Sequence, residues 1–165
     1  EVGFGSGCIA ITIARQRPNC TVYATDNSPR AMEIASRNVA KLEVAGRVHL
    51  LAGDLLQPLL ETGIRFDGLV SNPPYIREDE RATLQPEVVQ HEPAEALFSG
   101  EDGLDIVRRL VADAAKILKP DAFIALELDP AQCKTVAELL MSSGFTSAEI
   151  RRDLNGNERI VEGIL

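Results

Sequence analysis

EVGFGSGCIAITIARQR, residues 1–17, sets three glycines directly ahead of a helical pattern, and its reading decides the fold. Gly3, Gly5 and Gly7 follow a G-x-G-x-G spacing. Apolar residues then recur at Ile9 and Ile13 and at Ala10 and Ala14, one face of a helix over 8–17, which Pro18 ends. A turn of this kind normally follows a strand of ~5 residues. Only Glu1 and Val2 precede it, so the sequence is expected to be a piece of a longer protein that lacks most of its first strand.

Outward from this stretch, strand and helix patterns alternate. TVYAT (21–25) is β-branched and aromatic, hence a strand. Ser28 followed by Pro29 reads as an N-cap with proline at the first helical position, opening a helix to about residue 42. Strands are expected at 47–52 and 66–70, with a short helical turn at 55–60 between them. Residues 76–103 are rich in Glu, Pro and Gly and read as a long loop of the kind that binds or covers a ligand. Apolar positions 104, 107, 111, 114 and 118 mark the next helix, which Lys119 and Pro120 stop. A strand at 122–128, a helix at 131–142 and two strands at 145–151 and 159–165 complete the chain. Such alternation implies a mostly parallel sheet with helices on both faces, and the short DLNGN turn makes the last two strands an antiparallel edge hairpin.

The 165 residues suit one domain with a sizeable core. No run approaches the ~18 apolar residues of a membrane span, and no secretory or transit signal is visible, so a cytoplasmic protein is the default reading. A net charge of −8 argues against a broad phosphate-binding surface and makes nucleic acid an unlikely partner. Cys8, Cys20 and Cys133 are widely spaced and odd in number, which fits small buried or incidental residues in a reducing compartment. His49 and His91 have no partner at metal spacing, so no metal is expected; His49, within a strand, reads as structural and His91 as incidental.

In a doubly wound sheet, ligands bind beyond the carboxyl ends of the strands. The glycine loop, Asp26 and the pair Gly53-Asp54 all fall there. Glycines let the backbone approach a ligand closely while the following helix offers free N–H groups. Asp26 ends the second strand, 19 residues after Gly7, a spacing that suits a carboxylate accepting hydrogen bonds from ribose hydroxyls. A dinucleotide fingerprint has its third glycine where Cys8 stands here. The G-x-G-x-G spacing instead resembles the first motif of class I S-adenosylmethionine-dependent methyltransferases, with Glu1 in the place of the acid that usually precedes it. The resemblance implies that Gly3, Phe4, Gly5, Ser6 and Gly7 lie against the methionine part of S-adenosyl-L-methionine. It gives Asp26 the ribose, sets Asp54 and Leu55 at the border of the adenine, and counts Glu1, Asn27 and Asn72 among the residues that bind the cofactor. Phe4 departs from the small or polar residues common at its position, and Glu1 from the commoner Asp.

Asn72-Pro73-Pro74-Tyr75 ends the strand before the long loop and faces the same cleft. Two consecutive prolines have no N–H and fixed φ, so neither a helix nor a central ladder holds them. Methyltransferases with this motif act on planar, conjugated nitrogens: exocyclic amines of adenine or guanine, and the glutamine side-chain amide. An amide nitrogen is a poor nucleophile because its lone pair is delocalised into the carbonyl. The Asn72 side-chain oxygen and the Pro73 carbonyl can accept its two N–H groups and favour the positive charge that develops during attack. The prolines stiffen the segment, and Tyr75 supplies an aromatic wall. No Asp, Glu, His or Lys in the motif reads as a general base, so catalysis is assigned to proximity and polarisation, with the proton lost to solvent or a nearby carbonyl.

NPPYI (72–76), HEPAEALFSGEDGLDIV (91–107) and the closing RDLNGNERIVEGIL (152–165) together are similar to the HemK/PrmC family of protein N5-glutamine methyltransferases, over almost the whole chain. ELDPAQ (127–132) departs from the glycine more usual before the following helix. The resemblance implies a Rossmann-like class I methyltransferase with a seven-stranded sheet whose first strand is cut short. It also implies a single catalytic domain across 1–165, without the family's N-terminal helical recognition domain. The implied reaction is methyl transfer from S-adenosyl-L-methionine, leaving S-adenosyl-L-homocysteine, to the glutamine of the Gly-Gly-Gln motif of a peptide-chain release factor. Glu92-Pro93 and residues 100–103 would shape the substrate channel. Alternatives are a ribosomal-protein glutamine methyltransferase of the sister branch, a nucleic-acid N-methyltransferase sharing the NPPY geometry, and a nucleotide-binding module without catalysis.

Overall fold

A computed structural model describes residues 1–83 and 96–165. In chain order its elements are α1 (Cys8–Gln16), β1 (Val22–Asp26), α2 (Pro29–Lys41), β2 (Val48–Ala52), α3 (Gln57–Glu61), β3 (Phe66–Ser71), a 3-10 helix (Glu78–Thr83), α4 (Asp105–Ile117), β4 (Leu118–Glu127), α5 (Cys133–Ser142), β5 (Ser147–Arg152) and β6 (Glu158–Ile164). The expected alternation is present, with boundaries displaced by a few residues. The largest displacement is at β4, which takes in Pro120. There the pairing jumps from Phe66↔Leu118 to Gly68↔Phe123, and Asp121 has φ of 61°. The proline therefore sits in a bulge, where no ladder N–H is required of it.

β1 and β2 form one parallel group, and β3-β4-β6-β5 the other, with β6 antiparallel to both neighbours. Among the described residues there are thus six strands against the seven expected. The remaining place in the ladder is held by Val2, bridged in parallel to Thr25 on one side and Ser71 on the other. Its amide donates to Val70 O at 3.0 Å, its carbonyl accepts the Ser71 hydroxyl at 2.8 Å, and Thr25 N donates to Glu1 O at 3.0 Å. Val2 is 2% exposed, so this short segment is as enclosed as any central strand.

Alternation along β1 and β2 divides the core between the two faces. Val22, Ala24, Val48 and Leu50 pack with α1 and α2, while Tyr23, Thr25 and Leu51 face the side of α3, α4 and α5. α2 buries Ala31, Ala35 and Val39 on one stripe, and α4 buries Val107, Leu110, Val111, Ala114 and Ile117. Ser28 caps α2 by accepting Ala31 N at 3.2 Å, with Pro29 at the first helical position. Gly7 precedes α1 with φ of 79°, and a Cβ there would meet Ala35 Cβ at 3.3 Å, so a side chain would both strain the turn and push α2 away.

Phe4 is 2% exposed and packs in the α1–α2 cluster. Its aromatic ring, at odds with the small residues common at that place, anchors the glycine loop from beneath. Phe4→Ala is expected to lower the free energy of unfolding by about 3–5 kcal/mol. In urea titrations this is read as a fall in midpoint at unchanged slope.

Candidate active site

The carboxyl ends of β1, β2 and β3 and the glycine loop enclose a cavity of about 590 Å³, within the size range of small-molecule sites. Gly3, Gly5, Ser6, Asp26, Asn27, Leu55, Asn72 and Pro74 line it, as do Thr25, the start of α2 (Ser28 to Ala31, then Ile34), Gly53, Ala96 and Ile106. A second cavity of about 460 Å³, between Arg65, Lys119 and Leu165, lies at the opposite ends of β3 and β4, away from the glycine loop and NPPY.

The glycine loop is held open by the acid expected beside it. Asp26 Oδ2 accepts Gly5 N and Oδ1 accepts Ser28 N, both at 2.9 Å. One carboxylate thus ties the loop to the start of α2, and its remaining lone pairs face the cavity. Ser6 O accepts Asn38 Nδ2 at 2.9 Å, so a second residue of α2 fixes the loop's far side. The sequence marks this end of α2 only through its Ser-Pro cap, and it gives no sign that Thr25, fully buried, donates to Leu55 O at 2.7 Å and shapes the floor.

Several expected cofactor residues do not line the cavity. Glu1 is buried and turned the other way, its Oε2 accepting Ala10 N at 2.8 Å and so satisfying the first turn of α1. Phe4 belongs to the core and Gly7 to the α1–α2 contact. Asp54 forms an exposed ion pair with Arg109 of α4, leaving Gly53 and Leu55 on either side of it to border the cavity. Leu55, the next residue, adopts a positive φ of 46°.

NPPY begins where the ladder stops, at Ser71↔Leu126. Asn72 is exposed and lines the cavity, and its carbonyl lies 4.0 Å from where a Cβ on Gly3 would stand, so the two motifs touch. Pro74 lines the cavity, whereas Pro73 is buried beneath the segment. Tyr75 is half-buried outside the lining; its carbonyl accepts Gln132 Nε2 at 2.9 Å, and Arg159 Cζ lies 6.0 Å from its ring centroid. Gln132 falls in the ELDPAQ departure, and only its partners reveal what it does.

The described residues of the long loop carry local structure. Ile76 N donates to Leu97 O at 2.9 Å and Ser99 N to Ile76 O at 3.0 Å, a bridge that closes the loop's base, and Arg81 stacks over Phe98 at 4.0 Å. His91, Glu92 and Pro93 lie outside the described residues. Among the described residues no helix is long and apolar enough to cross a membrane.

Comparison with known proteins matches residues 1–102 to the methyltransferase small domain family. A release factor glutamine methyltransferase of Gloeobacter violaceus is 44% identical over 162 residues, covering 98% of this chain and 56% of that protein. One of Clostridium acetobutylicum is 41% identical over 161 residues, again covering 98% and 56%. The chain thus spans little more than half the length of these curated relatives. Among solved structures, a methyltransferase of Pyrococcus furiosus superposes with a TM-score of 0.70 at 19% identity, covering 98% of this chain and 71% of that one. A ribosomal protein L11 methylase of Lactobacillus delbrueckii subsp. bulgaricus gives 0.65 at 22% identity, covering 99% and 66%; these likenesses concern the fold.

Burial, the largest cause, pushes the Glu1 carboxyl from 4.5 up to about 7, against the lowering pull of the Ala10 amide. A folded-state value above the unfolded one means that the folded chain holds the proton more tightly. This contribution to stability is complete below about pH 4.5 and is lost as pH rises through about 7. Glu1→Gln keeps an acceptor for Ala10 and removes the titration. Its stability relative to the parent chain should therefore rise between about pH 5 and about pH 8, as read from urea midpoints.

Proposed function

Because the chain belongs to the methyltransferase small domain family, we propose that it is the catalytic domain of a protein-glutamine N5-methyltransferase and that its substrate is the Gly-Gly-Gln loop of a peptide-chain release factor. The observation that carries this reading is the meeting of Asn72 with the glycine loop on one cavity. Relatives at 44% and 41% identity carry the name release factor glutamine methyltransferase, which supports the choice of substrate. The net charge of −8 favours a protein over a nucleic-acid partner. A release-factor substrate supports the reading of a cytoplasmic enzyme.

The cavity suits S-adenosyl-L-methionine. Asp26 has lone pairs left for ribose hydroxyls, while Leu55, Ile34 and Ile106 offer apolar surface to a flat base. The backbone of Gly3 and Gly5 is bare enough for close approach. Bound there, the cofactor supplies an electrophilic methyl on a sulfonium. The chain's own part is to position the glutamine. Asn72 Oδ1 and the Pro73 carbonyl accept the two amide N–H groups, turn the nitrogen toward the glycine loop, and favour the positive charge that develops on it. Pro73 and Pro74 fix φ, so the acceptors need little reorganisation during attack. The amide proton leaves to solvent or to a neighbouring carbonyl, for no Asp, Glu, His or Lys stands within the motif.

The test supplies the protein with S-adenosylmethionine labelled on its methyl group and offers release factor, ribosomal protein or oligonucleotide. Label is expected in the release factor and absent from its Gly-Gly-Ala form. Label confined to ribosomal protein or to nucleic acid overturns the assigned substrate. Asn72→Ala should lower turnover by roughly 10²-fold, with a far smaller change in cofactor affinity measured by calorimetry.

A further inference from the structure

The NPPY segment has a mechanical difficulty. Its two prolines bring no N–H, so the segment must be fixed chiefly through its carbonyls. Beyond Ser71 the ladder has ended, and the next backbone pairing begins at Ile76. The Tyr75 carbonyl, between them, accepts Gln132 Nε2 at 2.9 Å.

Gln132 occupies the N-cap position of α5, where Ser, Thr, Asp or Asn would accept an amide of the first turn. Its side chain makes no such cap and instead reaches across to two other segments. Nε2 also donates to Asp102 O at 3.1 Å, and Oε1 accepts Asp129 N at 3.3 Å. Two carbonyls on one side and an N–H on the other admit only one orientation of the amide, because a reversed one would set oxygen against oxygen. The residue is 8% exposed, so water offers its partners little replacement.

The junction is closely fitted. Gly103 has φ of 74°, and a Cβ there would stand 2.2 Å from Tyr75 O and 2.5 Å from Gln132 Nε2. Asp102 is itself held, its carboxylate paired with Arg108 of α4 and accepting Leu104 N at 3.1 Å. One buried amide therefore joins the end of NPPY, the turn before α4 and the turn before α5.

Resting on the function proposed above, we propose that Gln132 is a positioning residue for methyl transfer. By holding the Tyr75 carbonyl against the turns that begin α4 and α5, it sets the attitude of Asn72 and Pro73 toward the acceptor nitrogen without touching either reactant. A donor amide is required, since only an NH₂ group can serve both carbonyls while its oxygen serves Asp129.

Gln132→Met keeps the length of the side chain and removes both donors, while Gln132→Glu keeps the acceptor for Asp129 N. Both are expected to lower kcat by about 10- to 100-fold, because small misplacements of an aligned group cost rates of that order. S-adenosylmethionine affinity by calorimetry should stay within about twofold in both, since the residue lies outside the cavity lining. Amide hydrogen exchange should accelerate at Tyr75 and Ile76 while the β4 core around Ile124 and Leu126 keeps the parent rate. Turnover within about twofold of the parent overturns the proposal. So do unchanged exchange at Tyr75 and Ile76, acceleration spread equally through β4 and α5, and failure of both variants to fold. If the parent protein methylates no glutamine, the functional reading falls, and exchange at Tyr75 and Ile76 with cofactor affinity still decides the role of Gln132.

Discussion

Residues 1–3 are clasped between β1 and β3, and the site depends on that clasp. Thr25 N donates to Glu1 O, Val2 N to Val70 O and Gly3 N to Thr25 O, all between 2.8 and 3.0 Å. The Ser71 hydroxyl adds a bond to Val2 O. Each bond is worth about 0.5–1.5 kcal/mol net, but an enclosed backbone group left unpaired costs more. Val2 joins the two strand groups into one sheet. It also sets the glycine loop at the height of Asp26 on one side and Asn72 on the other, so the three share a cleft.

Within the cleft, rigidity is supplied from behind. Asp26 accepts two backbone amides before any ligand arrives. Phe4 fills the space beneath the loop, Glu1 steadies the first turn of α1, and Thr25 props the chain at Leu55. The NPPY side follows the same plan, with Pro73 buried and Tyr75 anchored by its carbonyl. A transfer that relies on alignment rather than on a general base needs such support, because its rate follows from geometry established before the reactants meet.

Much of this was legible in the residues themselves. Helices and strands followed from periodicities of 3.6 and 2, the start of α2 from Ser28-Pro29, and the end of β3 from Asn72-Pro73-Pro74. Glycine spacing and Asp26 indicated the cleft, and NPPY indicated a stiff exit from β3 beside it, since these motifs act through local backbone geometry. The directions of other side chains were not legible. Asp54 stands in the expected place after β2, yet its side chain pairs with Arg109, 55 residues away. Pro120, read as a helix stop before the strand, is accommodated inside β4 by a bulge.

The sequence by itself determined the α/β alternation, the glycine loop with its acid, and the stiff NPPY exit, because each is written in neighbouring residues and the limits on their φ and ψ. Only the tertiary structure decided that Phe4 is a core residue, that Glu1 serves α1, and that Gln132 grips a carbonyl 57 residues away. Those roles depend on which distant segments pack together. A buried polar group takes whichever partner the fold brings within hydrogen-bond reach, and local periodicity does not encode that choice.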